Sequence, residues 1–380
     1  MTGLSRRQLR VRLAGIGAGL LGWISYRALA SAPEIAERVA GTGPVPLIMR
    51  SLSLVSGAIP IALAEVVVVA FLLRQGMGAW RGIFELREKK ALAAPLIARG
   101  ALRFAQDAGI AVFLFYLLWG IQYARPGLET QLGIAAAGEV GTPELRALTE
   151  RAVVATNGAY LALHGTDDLG RPTPALALAD LSTGLEAGWE RTRDDLGITD
   201  RVTETRGEPK AFLSSPLIKR LGISGMYFPF TGEALVLRDL PGILQGKDMG
   251  HEMAHQRGFA SESDANVLGA LVAARSPDLL TRYSAYSFIE RQLMVALQRA
   301  SSPDAREVAR DRSPGVRRDL EDLSEYWEPA RTRVATAATR VNDRMLRTHG
   351  VREGVGSYAG STWVFVALAR TLGPEALFGS

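Results

Sequence analysis

Gly250-His251-Glu252-Met253-Ala254-His255-Gln256-Arg257-Gly258 is the stretch on which the reading of this chain turns. Residues four apart on a helix share a face, so His251 and His255 both reach one metal ion. Glu252 stands beside them, placed to position or deprotonate a water. The plainer alternative is an amphipathic helix with paired polar residues. Gly258 suits a left-handed cap that ends the helix. The chain then turns through Phe259 and Ala260 and restarts at Ser261, which with Asp264 reads as a capping box. Glu262 falls in the first turn of the new helix, seven residues beyond His255. A tight helix–turn–helix brings its carboxylate back to the metal, so His251, His255 and Glu262 are the expected ligands. Asp264 is the rival third ligand, although capping already accounts for it, and helix-start electrostatics is the alternative role for Glu262. Asn266, one turn further, is placed to hydrogen-bond a ligand histidine or the first helix.

The composition limits the metal chemistry. The chain has 380 residues, no cysteine and four histidines, His164, His251, His255 and His349. Thiolate ligands and disulfides are excluded, and the nitrogen and oxygen donors favour zinc. The net charge of +5 comes from basic residues that cluster beside apolar stretches. A lipid surface explains them better than nucleic acid does. The run Gly15-Ile16-Gly17-Ala18-Gly19 lies inside an apolar segment, without the strand–turn–helix setting of a dinucleotide site, and reads as lipid-facing or helix-packing glycine.

The first third predicts three membrane helices, near 11–32, 51–73 and 101–123. The first follows Arg6, Arg7, Arg10 and Arg12; a secretory signal peptide is its alternative reading. The second contains Glu65, costly at membrane depth and expected to face another helix, and Pro60, expected to kink it. The third carries Trp119 and Tyr123 as expected interface anchors, with Arg103 and Asp107 at its other end. The N-terminal tail and the 74–99 segment are both basic, so both are expected in the cytoplasm. The short 33–50 connection and everything after the third span then lie outside.

Residues 124–380 read as one mostly helical domain. Helical patterning covers about 143–162, 175–196, 262–274, 283–300 and 315–347, with Pro329 interrupting the last, and another helix falls at about 361–373. The run Trp363–Ala369 is short for a membrane span. Gly225–Phe230 and Glu233–Leu237 form the best strand pair. An edge strand just before a metal helix suits pairing with an extended peptide, and a small structural hairpin is the alternative. The expected fold is mainly α: transmembrane helices (residues 1–123), then an extracytoplasmic α+β, zincin-like domain with a small edge sheet (residues 124–380).

Several blocks resemble a known family. Leu118-Trp-Gly-Ile-Gln-Tyr-Ala-Arg125, Tyr227-Phe-Pro-Phe-Thr-Gly-Glu-Ala234, His251-Glu-Met-Ala-His-Gln-Arg-Gly-Phe-Ala260, Glu262-Ser-Asp-Ala-Asn266 and Gly354-Val-Gly-Ser-Tyr358 occur in matching order. On these blocks the chain is similar to the bacterial membrane proteins grouped as domain of unknown function 3810. The resemblance implies N-terminal membrane helices, an HExxH metallopeptidase domain, and residence in a bacterial inner or plasma membrane. Glu262-x-x-Ala-Asn266 also resembles the third-ligand helix of membrane CAAX-type and heat-shock-type metallopeptidases. There an Asp stands where this chain has Asn266, and the two helices are further apart in sequence.

The function expected is zinc-dependent hydrolysis of a peptide or protein substrate by a bilayer-anchored enzyme. Glu252 takes the water proton and passes it to the leaving amine. An oxyanion donor is also required. Tyr358 is the first choice, because it lies in a Gly/Ser-rich loop and a family-like block; His349 and Tyr286 are the others. Glu233, in the hairpin, is a candidate for substrate binding or for orienting a ligand, with pairing to Arg238 or backbone capping as the alternative. The competing functions are a noncatalytic metal-stabilised envelope module and a metallohydrolase for a nonpeptide bond.

Overall fold

The computed structural model describes residues 5–88, 93–167, 173–349, 351, 354 and 360–379. Ser5 opens α1 (Arg6–Ala30) with a capping box, its Oγ accepting from the Gln8 amide and the Gln8 side chain accepting from its own. The short α2 (Pro33–Ala36) and a π-helical turn lead to α3 (Pro44–Gly57), then α4 (Leu63–Arg87) and α5 (Ala93–Leu118). Of these, α1, α4 and α5 are long and apolar enough to cross a membrane.

Glycine brings α1 and α5 together. A Cβ on Gly19 would lie 2.8 Å from the Gly109 carbonyl oxygen, so the two backbones touch where any larger residue would separate them. The helices share one polarity. Tyr26 stacks on Tyr116 at the end near the domain, and Arg12 donates to the Arg99 carbonyl at the other end. The first turns of α1 and α5 therefore lie at the same end, opposite the domain.

The second span starts later than its apolar run suggests. Pro60 has no amide hydrogen and restricts Ile59, so α3 stops at Gly57 and the chain passes 58–62 outside a helix. Glu65 is consequently in the first turn of α4, not at membrane depth. Its carboxylate accepts from the backbone amides of Leu213, at 2.5 Å, and Ser214, at 2.9 Å. Meanwhile α3 packs into the domain, where Ser53 Oγ accepts from the Gly207 amide and the Gln256 side chain. The third span also ends early, at Leu118. Trp119 and Tyr123, expected at the lipid interface, turn into the domain through a 3-10 turn (Gly120–Ala124).

The domain follows as α6 (Leu128–Gln131), α7 (Thr142–His164), α8 (Leu178–Leu196), β1 (Lys210–Ala211), α9 (Ser215–Arg220), β2 (Gly225–Phe228) and β3 (Glu233–Val236). Then come α10 (Gly242–Gln256), α11 (Glu262–Ala274), α12 (Leu279–Ala300), α13 (Ser302–Arg310), α14 (Pro314–Tyr326), α15 (Arg333–Thr348) and α16 (Ser361–Leu372). Every residue of α10 is buried. It packs on α11, α12 and the sheet, while α8, α12 and α16 surround α11. Gly250 and Gly269 let α10 and α11 approach: a Cβ on Gly269 would sit 2.6 Å from the His251 amide nitrogen. The apolar run of α16 fills this core, with Phe365 fully buried. Pro329 lies in a 3-10 turn that separates α14 from α15.

The sheet has the order β1-β3-β2. Strand β2 pairs antiparallel with β3, Gly225 opposite Val236 and Phe228 opposite Glu233, and Gly232 turns the hairpin at φ +70°. Strand β1 adds parallel to β3, with Lys210 opposite Leu235. This leaves β2 as one edge of the sheet, directly against α10.

Candidate metal centre

The turn between α10 and α11 is held from several sides. Gly258 adopts φ +91°, the left-handed geometry that ends α10. The Gln256 amide nitrogen donates to Ser53 Oγ and to the carbonyls of Gly207 and Gly232. Arg257 donates to the Val202 carbonyl and, through one nitrogen, to both oxygens of Glu186. Arg125 reaches the Gly258 carbonyl at 3.0 Å. Ser261 caps α11 by accepting from the Asp264 amide.

These restraints bring three side chains to one point. Glu262 Oε2 lies 3.3 Å from His251 Nε2 and 3.6 Å from His255 Nε2. The three donor atoms all fall within 4.8 Å of one another. A tetrahedral metal with bonds of about 2.0–2.1 Å sets its ligand atoms roughly 3.3–3.4 Å apart. Glu262 Oε2 is buried without a hydrogen-bond partner, which is costly for a carboxylate unless a cation answers it. His255 Nδ1 donates to the Phe259 carbonyl at 2.7 Å, which leaves Nε2 to face Glu262 and, once deprotonated, to ligate. The donor set therefore fits a metal ion.

The electrostatics agree. Burial, then the charges of Lys247 and His255, pushes His251 down to about 4, so its imidazole is neutral and ligand-ready. Burial opposes the charged form of His255 as well, but Glu262 beside it outweighs burial and holds its pKa above the usual value. Burial would raise Glu262; the two histidines overcome that and keep it below the ordinary carboxylate range. Glu252, next to the ligands, is raised by burial to about 8. Its Oε2 is buried and unpartnered.

The edge strand crosses directly over Glu252. A Cβ on Gly225 would lie 2.6 Å from Glu252 Oε1, so β2 comes this close only because residue 225 is glycine. Three aromatic residues complete the surroundings, none singled out for the site from the sequence. Trp119 meets His255 edge-on, with ring centres 5.5 Å apart, and packs on Tyr227 at 4.8 Å. Tyr227 Oη is buried without a partner. Burial, then the Glu262 charge, raises the Tyr123 hydroxyl pKa. Trp119 and Tyr123 belong to the 118–125 block and Tyr227 to the 227–234 block; those blocks were the available signal.

Other expected site residues have different positions. Asp264 turns away to accept the Leu128 amide at 3.0 Å, so it does not compete with Glu262. Asn266 is buried on α11 one turn beyond Glu262. Glu233 instead caps α4: it accepts from the Leu63 and Ala64 amides at 2.9 and 2.6 Å and pairs with Lys210 at 2.7 Å. That fixed set leaves no carboxylate oxygen free for a substrate. Tyr286 donates to the Phe378 carbonyl and secures the C-terminal segment, which removes it as an oxyanion donor. His349 Nδ1 lies 2.7 Å from the Met345 carbonyl, which only accepts, so that nitrogen carries the proton. The remaining Nε2 of neutral His349 is an acceptor, the wrong polarity for an oxyanion. Tyr358 lies outside the described residues.

The arrangement defines a membrane-associated helical protein with a buried His–His–Glu group able to bind a metal ion. The chain belongs to the family described as Protein of unknown function (DUF3810), which matches residues 42–364 and so takes in the hairpin, α10 and α11. No curated protein and no solved structure matches the chain.

Proposed function

We propose that this protein is a membrane-anchored zinc hydrolase that cleaves peptide bonds on the outer side of the membrane. The observation that carries the reading is the placement of Glu252. It is a buried carboxylate with an unpartnered oxygen, one residue from His251, and it lies beneath a sheet edge. A structural metal needs the three ligands but gives no reason to bury a fourth ionisable group beside them.

His251, His255 and Glu262 would hold the metal through Nε2, Nε2 and Oε2. A zinc ion held there would supply Lewis-acid chemistry, acidifying water and polarising a carbonyl. The chain's own groups do the rest. Glu252 receives the proton at its free oxygen and returns it to the leaving amine; burial raises its proton affinity, and the charge of a bound metal would favour the ionised form that accepts the proton. Trp119 and Tyr227 exclude water from one side of His255. Among the described residues, the candidate oxyanion donors are Tyr123, whose hydroxyl feels the Glu262 charge, and Tyr227, whose hydroxyl is unpartnered. The outer edge of β2 offers an extended peptide backbone hydrogen bonds, in a zincin-like plan of edge strand over metal helix. The basic ends of α1, α4 and α5 face the cytoplasm under the charge rule, which puts the domain outside.

Burial of His251, Glu252 and His255, each less than a tenth exposed, favours a second reading, a noncatalytic metal-stabilised module, because a substrate needs access to these side chains. Exposure of the full-length, detergent-purified protein to a peptide library, with zinc and with a chelator, separates the two. Zinc-dependent cleavage supports the hydrolase; a stable, zinc-replete protein that cuts nothing supports the structural role.

A further inference from the structure

A cleft of about 120 Å³ opens beside the turn that joins α10 and α11. Gln122, Tyr123, Arg125, Phe259, Asp264 and His349 are among its lining residues, and none of the three ligands is. Its polarity is one-sided. The Arg125 charge is already answered, because Glu37 takes its Nε and one terminal nitrogen at 2.7 and 3.0 Å and Gly258 and Gln122 take the other. Asp264 accepts the Leu128 amide and, among the described residues, forms no ion pair.

His349 supplies the second observation. Its side chain is almost fully buried, at 7% exposure, with Nδ1–H committed to the Met345 carbonyl. Nε2 therefore carries a lone pair, and that atom is buried without a partner. The rings of Tyr26, Phe115, Tyr116 and Tyr123 fix the imidazole at centre distances of 5.1–5.6 Å. Among the described residues, the cleft wall thus includes an imidazole with a free acceptor nitrogen, a carboxylate and aromatic surface, while its one cation is occupied. The complementary group carries positive charge and N–H donors without an acceptor, and in a cleft this small the compact form of such a group is a primary ammonium.

The geometry points to a primary-ammonium subsite in this cleft, which takes the amino terminus or a lysine side chain of a peptide substrate. The peptide as carrier rests on the hydrolase reading; the ammonium chemistry does not. The wall shared with the metal centre is the turn itself, since Phe259 lines the cleft and its carbonyl holds His255.

The test is nitrogen-15 spectroscopy of histidine-labelled full chain in detergent, where the four histidines give a sparse spectrum and His349→Phe assigns the resonance. Norleucine methylamide presents an α-ammonium, Nα-acetyl-lysine methylamide a side-chain ammonium, and Nα-acetyl-norleucine methylamide neither. A saturable shift of the His349 Nε2 signal with one or both ammonium probes, and not with the neutral one, is the expected result, and the stronger probe identifies the source. Equal shifts with the neutral probe, or no shift with either ammonium probe, overturn the subsite. Loss of the hydrolase reading through failed peptide cleavage, with the shift intact, leaves the subsite standing.

Discussion

Gly225 and Glu252 are fitted to each other: a Cβ on the strand residue would stand 2.6 Å from Oε1 and 2.7 Å from Cγ of the buried carboxylate. Only a hydrogen at that position lets the sheet edge lie over the metal helix.

Gly225→Ala therefore displaces Glu252 while leaving the ligands in place. Overpacking of this kind costs about 1–3 kcal/mol. Zinc content stays at the wild-type value, the thermal midpoint falls, and any hydrolysis drops with it. Zinc analysis beside a melting curve checks this; an unchanged melting curve contradicts the packing described.

The third ligand is tested by Glu262→Gln against Asp264→Asn. The first removes the oxygen that meets both histidines and is expected to abolish tight zinc binding. The second weakens a cap and retains it. At zinc concentrations about 100-fold above the dissociation constant, binding stabilises a folded protein by roughly 2.7 kcal/mol. Wild type and Asp264→Asn should show that zinc-dependent rise in the melting curve, and Glu262→Gln should not.

Metal uptake should release protons, and affinity should rise with pH. His255 has a raised pKa and must lose its proton to ligate. Glu252, at about 8, is largely protonated near neutrality, and a nearby cation favours its ionised form. His251, at about 4, and Glu262, held low, contribute nothing near pH 7. Both relevant groups bind fewer protons as pH rises, so zinc competes better at about pH 8 than at about pH 6. Calorimetry in two buffers of different ionisation enthalpy counts the protons, and Glu252→Gln should release fewer than wild type.

Glu233 acts on the join between domain and membrane. Its carboxylate satisfies two amides at the start of α4, where a negative charge is favoured. Glu233→Ala leaves them unmet and should cost about 1–3 kcal/mol. Faster amide exchange at Leu63 and Ala64 with unchanged zinc binding is the expected signature; slower substrate turnover without faster exchange would restore a substrate role.

The absence of native cysteine makes topology directly testable. A single cysteine replacing Glu85 should react with an impermeant reagent only from the cytoplasmic side, and one replacing Glu150 only from outside. The opposite pattern contradicts the orientation drawn from charge.

The clustering of His251, His255 and Glu262 was legible because its determinants are local. Helix periodicity aligns His251 with His255, Gly258 ends one helix, and Ser261 starts the next within the same dozen residues. The hairpin over Gly225–Phe228 and Glu233–Val236 was equally local. What escaped was set by distance along the chain. Trp119 and Tyr227 meet across more than a hundred residues, and composition alone gave both Trp119 and Tyr123 an interfacial reading. Strand β1 has only two residues and exists because β3 offers it an edge. Glu233 was ambiguous until the start of α4, some 170 residues earlier, came beside it. His349 was a candidate donor from its turn-like setting, and only the Met345 carbonyl reveals that its free nitrogen accepts.

The most direct test of the account compares Glu252→Gln with wild type at matched zinc occupancy, on whichever peptide the wild type cleaves. Loss of a general base is expected to slow hydrolysis by about 10²–10⁴-fold. Retained zinc with a rate loss of that size is the predicted result. Undiminished cleavage by Glu252→Gln would contradict the role given to this carboxylate and, with it, the mechanism.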